Sequence, residues 1–205
     1  MGSRTRSDRH RDKETTPWQR ANGEQLQQFL HRIALQVPSM DQLAVVCIGT
    51  DRSTGDSFGP WVGTILAELG WPLVIGTLAA PCDAEHYEAM IAGIPENKTI
   101  MAIDASLGRP DAVGGFLIAE GPLYPARATG GSLAPIGHYS IAGVVGPHSP
   151  RAYWSLQRAS LYQIIRMAKQ AAAAFCEAWD QEQPRNERCV DRIGSDPAAL
   201  VRFIR

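Results

Sequence analysis

Apolar residues along this chain fall into two alternating patterns. Residues 23–36 (GEQLQQFLHRIALQ) place Leu26, Phe29, Leu30, Ile33 and Ala34 at three- and four-residue spacing, which predicts an amphipathic helix ahead of the main domain. Residues 43–49 (LAVVCIG) are apolar without alternation and end in glycine, as a strand buried on both faces of a parallel sheet requires. A polar loop, TDRSTGDS, leads into FGPWVGTILAELG, where Phe58, Trp61, Val62, Ile65, Leu66 and Leu69 share one helical face. Pro60 suits a first helical turn, where a missing N–H costs nothing, and Gly70 suits the helix end.

The alternation continues. Residues 73–78, 99–104, 115–119 and 139–145 read as strands, 84–93 as a short helix, and 121–137 as a loop rich in Gly, Pro and Ser. Residues 152–179 read as one long helix with Leu161, Ile164, Ile165, Ala168, Ala172, Phe175 and Trp179 on a single face. This order predicts a single α/β domain over 21–179, a three-layer sandwich around a mostly parallel sheet. The charged segment 1–20 is expected to be a disordered, solvated tail and 180–205 a polar C-terminal tail, within which 197–204 suits a docked last turn.

Composition narrows the function classes. The chain has 205 residues, of which 44% are hydrophobic, enough for one buried core. Twenty Lys and Arg against 21 Asp and Glu give a net charge of -1, which argues against the broad basic surface that neutralises phosphates, so no direct nucleic-acid contact is expected. No apolar run approaches the ~20 residues that span a bilayer, and the N-terminus has no apolar secretory stretch. A cytoplasmic protein without membrane contact is expected. Cys47, Cys82, Cys176 and Cys189 are widely spaced, with no CxxC and no Cys/His cluster, and read as free thiols.

Open α/β sheets bind ligands beyond the carboxyl ends of their strands. Two acidic segments are expected there. One is the loop from Gly49 to Pro60, and the other is Ala102-Ile103-Asp104-Ala105-Ser106, where Asp104 closes an apolar strand. Asp56 and Asp104 are the candidate pair. Close carboxylates repel, so one keeps its proton while the other stays ionised, a set suited to acid–base work on a peptide bond or to holding a divalent cation. Each also has a plain structural reading: Asp56 as a helix cap, and Asp104 as an acceptor for neighbouring N–H groups. Backbone N–H groups around Gly49–Ser53 and Ser106 are candidate oxyanion donors. Neither GxGxxG nor a GxxxxGKS-type phosphate loop is present. Ser53, Ser106 and Ser132 lack a Gly-x-Ser-x-Gly setting and read as loop hydrogen-bonders. Cys47 reads as core, as does Cys82. The loop Arg127–Ser132 reads equally as a groove wall or a flexible connection.

The stretch from Gly49 to Pro60, followed by Ala102-Ile103-Asp104-Ala105, resembles the germination proteases of spore-forming bacteria, which carry Gly-Asn…Thr-Pro-Asp-x-Leu-Gly-Pro and Ile-Ala-Ile-Asp-Ala segments. Thr54, Asp56, Gly59 and Pro60 fall on the first pattern with Phe58 at the Leu position, while Thr50 and Gly55 depart from it. The run from Cys47 to Pro60 is closer still to the YyaC-like sporulation proteins, a short related branch, and Gly76-Thr77-Leu78, Gly121-Pro122-Leu123 and residues 136–141 fit as well. The resemblance spans about residues 43–170. It implies a hydrogenase-maturation-protease-like α/β fold and catalytic roles for Asp56 and Asp104. With the loop chemistry above, it makes Gly49, Thr50, Asp51, Ser53 and Ser106 candidate substrate-binding residues. It further implies a peptide or protein substrate, with small acid-soluble spore proteins as the family example, in the cytoplasm of a sporulating cell or forespore. No cofactor and no metal ligand are assigned. The related maturation proteases bind nickel through acidic residues and a histidine, for which His86 and His138 are the candidates, and a divalent metal stays open. So do a non-catalytic peptide-binding protein on the same fold, a metal-dependent maturation protease, and a homo-oligomer joined through the helix at 152–179.

Overall fold

The three longest apolar runs pair as parallel neighbours. They are β2 (Leu43–Cys47), β4 (Thr99–Gly108) and β6 (Tyr139–Pro147), and the short β3 (Val74–Ile75) adds to the free side of β2. On the other side β5 (Phe116–Glu120) runs antiparallel to β6, and β1 (Gln19–Ala21) antiparallel to β5. The result is a six-stranded mixed sheet in the order β1-β5-β6-β4-β2-β3, parallel through its centre as expected. The computed structural model describes residues 17–125 and 133–180. Ser132, the loop at 127–132, Cys189, the turn at 197–204 and most of both expected tails lie outside the described residues.

The two faces of the sheet are covered unequally. Alternate strand residues point to opposite faces, so Val45, Cys47, Met101, Ile103 and Ile141 face one way and Val46, Ile48 and Ala102 the other. The first set packs under α1 (Gly23–Gln36), α2 (Phe58–Glu68) and α5 (Leu161–Trp179), whose Leu30, Phe58, Leu66, Ala168 and Phe175 belong to the same core. Trp71 stands edge-on to Phe175 and Trp179, with ring centroids 5.3 and 5.4 Å away. Trp179 Nε1 donates to the Val37 carbonyl at 2.9 Å and ties the end of α5 to the end of α1. Among the described residues the opposite face packs against Tyr87, Met90 and Ile91 of the five-residue α3 (Tyr87–Ile91), together with Cys82, Ile94, Leu123, Leu133 and Ile136. Among the described residues the third layer is therefore one short helix with loops, and they leave part of the sheet uncovered. Among the described residues no helix is long and apolar enough to cross a membrane.

Several boundaries differ from expectation for local reasons. Strand β4 does not end at Asp104 but runs on to Gly108, because β6 continues beside it to Pro147 after β2 has stopped. The expected helix at 152–179 is two helices, α4 (Ala152–Gln157) and α5, because the Ser160 side chain accepts from the Gln163 N–H and starts a new helix there. Strand β1 crosses the expected boundary at residue 20, since its pairing with β5 brings Gln19 and Arg20 into the sheet. Cys47 and Cys82 are free and buried, whereas Cys176 is disulfide-bonded rather than a free thiol. Separation along the sequence does not limit pairing, which depends on how closely the fold brings the Cα atoms.

Helix α2 lies directly on the end of β2. A Cβ on Gly59 would sit 2.1 Å from the Ile48 carbonyl oxygen, and one on Gly63 would sit 2.0 Å from that of Gly76. Backbone cannot yield to such a contact as a side-chain tip can. Gly59→Ala is therefore expected to destabilise the fold by roughly 2–3 kcal/mol, read from urea unfolding. Gly93→Ala, where a Cβ meets nothing within 4 Å, is the control and should stay within about 0.5 kcal/mol of the parent.

Candidate active site

The loop after β2 is shaped by its own backbone. Gly49 has φ +138°, a conformation that side-chain-bearing residues avoid, and a Cβ there would lie 2.0 Å from the Asp56 carbonyl oxygen. Thr50 N–H donates to that same oxygen at 3.2 Å and closes the loop, while Gly49 N–H donates to the Cys82 carbonyl at 3.1 Å. Asp56 sits in a 3-10 turn, Gly55–Ser57, that feeds straight into α2. Gly55 abuts the backbone of Leu156 in α4, so the turn is pinned from a second side. The capping reading of Asp56 is not realised. Thr54 caps the turn and Ser57 caps α2, and neither cap carries a side-chain hydrogen bond.

Asp104 lies within β4 rather than at its end. It stands opposite Ala142 of β6, one residue beyond Ile103, where the β2 ladder finishes at Cys47. One flank of the strand is open there, and Asp104 faces the uncovered side of the sheet. Its Oδ1 accepts the Ala105 N–H at 2.7 Å, so the expected N–H contact is present but comes from the adjacent residue alone.

Both carboxylates are partly buried and line one cavity of about 830 Å³. Loss of hydration pushes the Asp104 carboxyl well above the usual carboxylate range, and the neighbouring Asp56 charge pushes it further; the Ala105 N–H opposes both. Burial also raises Asp56. Among the described residues neither has a cationic partner, since the ion pairs join Arg20 and Arg109 to Asp111 and His86 to Asp83. Beside them, the Cys82 thiol is pushed up to about 11 by burial and then by the charges of Asp83 and Asp104, and Cys47 is raised by burial. Thiols held in this state are not nucleophiles near neutrality.

Of the expected substrate-binding residues, Gly49, Thr50, Ser53 and Ser106 line the cavity, whereas Asp51 is exposed outside it. The expected oxyanion donors are partly spent. The N–H groups of Gly49 and Thr50 are bonded as above, and that of Arg52 goes to Thr50 Oγ1 at 3.3 Å. Ser106 Oγ donates to the Gly143 carbonyl at 3.3 Å. Ser53 Oγ is buried with no hydrogen-bond partner. Trp18, Arg52, Leu117, His148 and Tyr153 also line the cavity, without having been singled out in the sequence. His148 directly follows β6, so the strand-end rule was sufficient to find it; Trp18 has no such signal, because its position depends on β1 joining a strand far along the chain.

The two histidines considered for a metal do not complete a site. His138 Nδ1 accepts the Ile100 N–H at 2.9 Å. Ile100 precedes Asp104 by four residues on β4, about 13 Å along an extended strand. His86 Nδ1 lies 2.7 Å from Asp83 Oδ1. Among the described residues no group of three or more His, Cys, Asp or Glu side chains is arranged to hold a metal ion, so the acid pair lacks a third donor and no step is assigned to a metal.

Fold and cleft together define an α/β protein with two carboxylates, neither ion-paired among the described residues, beyond the end of its second strand. The chain belongs to the DUF1256 family, described as proteins of unknown function, whose family model matches residues 17–174. It is 38% identical over 151 residues to the uncharacterized protein YyaC of Bacillus subtilis, covering 71% of this chain and 73% of YyaC, so the YyaC-like resemblance is borne out. Among solved structures it is similar to the NiFe hydrogenase maturation protease HycI of Thermococcus kodakarensis, with a TM-score of 0.38 and 20% identity over 65% of this chain and 92% of that one.

The electrostatics of Asp104 carry a stability consequence. Its folded pKa is raised, so the folded state holds the proton more tightly than the unfolded chain. That contribution is fully present below the unfolded carboxylate value near 3.8 and is lost as pH rises through the folded value. Asp104→Asn, which keeps an acceptor for the Ala105 N–H, should therefore raise the melting temperature at pH 7, and the gain should shrink toward zero near pH 4. Thermal melts of both proteins across that range check it.

Proposed function

We propose that this protein is an endopeptidase of the germination-protease type, in which Asp56 and Asp104 work as a general acid–base pair. The observation that carries the reading is the pair itself: two partly buried carboxylates in one cavity, neither ion-paired with a cation among the described residues, with the charge of one raising the pKa of the other. Structural aspartates normally find a cation or several N–H groups, whereas Asp104 has one N–H and Asp56 is free of a cap.

Asp104, the more strongly raised, holds the shared proton, and Asp56 is the ionised partner; the two titrate as one system. Asp56 takes a proton from a water molecule as its oxygen bonds to the substrate carbonyl carbon. Asp104 gives its proton to the amide nitrogen as the C–N bond breaks. The products leave as a carboxylic acid and an amine, the pair is left with its proton on Asp56 and Asp104 ionised, and passage of that proton from Asp56 to Asp104 restores the starting state. Ser53 Oγ, unpartnered in the cavity wall, is the donor suited to the developing oxyanion.

The substrate class is peptide or protein, with small acid-soluble spore proteins as the first to test. The setting is the cytoplasm of a sporulating cell or forespore, without direct contact to nucleic acid or membrane. Incubation with those proteins and with a sporulating-cell extract, followed by mass spectrometry of new termini, should yield cuts from the parent chain. Asp56→Asn and Asp104→Asn should each slow cleavage by about 100-fold or more. Unchanged hydrolysis in both variants, or an intact partner recovered with no new termini in any extract, sinks the peptidase reading.

A further inference from the structure

Sheet register lays a row of side chains beside the acid pair. Asp104 on β4 pairs with Ala142 on β6, and Ala142 pairs with Leu117 on β5. Residues paired across strands point to the same face. All three therefore face the uncovered side, spaced by the strand separation of about 4.8 Å. Ala142 is the short member of the row. Its side chain is the smallest of the three, so the row dips into a hollow between the acid and Leu117; all three residues line the cavity, with Ala142 at its floor only 6% exposed.

The walls of that hollow are apolar. Leu123 is held by a two-way backbone bridge to Ile136, at 2.9 and 3.0 Å, and Trp18 stands just ahead of β1, whose Arg20 pairs with Leu117. Leu133 adds to the lining. The charged lining residues lie elsewhere. Asp83 and Glu85 follow Cys82, which bridges to Ile48 beyond β2, on the opposite side of Asp104. Arg52 sits in the loop after β2, and His148 lies past the end of β6. The cavity is thus polar toward β2 and apolar toward β5 and β1. Its volume of about 830 Å³ is within the range of clefts that hold ligands. Water over Ala142 meets few polar partners, so an apolar group that replaces it is favoured.

We propose that this hollow is a specificity pocket for the acid pair. It takes a bulky apolar side chain, of Leu or Phe size, on the substrate residue next to the scissile bond, seated over Ala142 between Leu117 and Leu123. The inference rests on the peptidase reading above for its role in cleavage, and on the geometry alone for its binding preference.

The binding arm of the test uses full-length Asp56→Asn protein and blocked pentapeptides Gly-Gly-X-Gly-Gly with X as Gly, Ala, Leu or Phe, measured by calorimetry. Affinity should rise about tenfold or more from Gly to Phe. Adding Ala142→Leu should abolish the Phe advantage while changing affinity for the Ala peptide less than twofold. Leu117→Gln, which keeps the cavity open but makes its wall polar, should weaken the Phe peptide selectively and serves if Ala142→Leu does not fold by circular dichroism. The cleavage arm offers the same peptides to the parent protein. A flat affinity series, absence of binding to every peptide, or a Phe advantage that survives the substitutions overturns the pocket. Cleavage with a flat series removes the pocket and leaves the peptidase. A graded series with no cut in any peptide and no new termini in the spore-protein and extract test keeps the pocket and removes the peptidase.

Discussion

Where α2 meets the end of β2, backbone rests on backbone. Gly59 touches Ile48, and Gly49 turns the chain so closely under Asp56 that the Thr50 N–H closes the loop onto the Asp56 carbonyl, while the Gly49 N–H goes to the Cys82 carbonyl. Everything about the acid pair follows from that contact. With a side chain between them, the helix would ride higher and Asp56 would leave the neighbourhood of Asp104. The contact is held from the other side by the burial of Phe58, Val62 and Leu66, each fully enclosed, at roughly 1.5–3 kcal/mol per side chain. Hydrophobic packing on one face of the helix thus offsets the unfavourable dehydration of a carboxylate on the neighbouring strand.

A parallel sheet is normally covered on both faces. Here the helices α1, α2 and α5 fill one face, and among the described residues the opposite face has little more than α3 and connecting loops. The cleft is the remainder left by this imbalance. Its floor is ordinary strand, which is rigid because β4 is paired on both sides up to Ile103 and with β6 beyond it. A carboxylate carried on such a strand is fixed more firmly than one on a loop. The pair consequently combines one anchored member with one held by a tight turn.

Much of this was legible in the residues. Helix α1 has the expected limits because its amphipathic spacing is reinforced by a reciprocal cap between Asn22 and Gln25. The pairing of Asp56 with Asp104 in one cavity follows from the strand-end rule together with a distinctive twelve-residue motif. What was illegible depends on partners distant in sequence. Nothing near Asp104 says that β4 goes on, because its continuation is dictated by β6. Nothing near Trp18 says that it reaches the cavity. His138 was a ligand candidate only through the resemblance to maturation proteases, and the register of β4 and β6 sets it at the far end of the sheet, bonded to Ile100. Residues 152–179 read as one helix although the apolar stripe starts only at Leu161, directly after the capping Ser160 that separates α4 from α5.

The sheet begins and ends in its shortest members, three residues of β1 and two of β3. Edges this brief present few unpaired N–H and C=O groups, and β-augmentation, in which a foreign strand zips onto a sheet margin, has almost no template here. The flank of β4 left open beyond Ile103 is the exception, so a template for main-chain pairing lies inside the cleft rather than at the margins of the sheet.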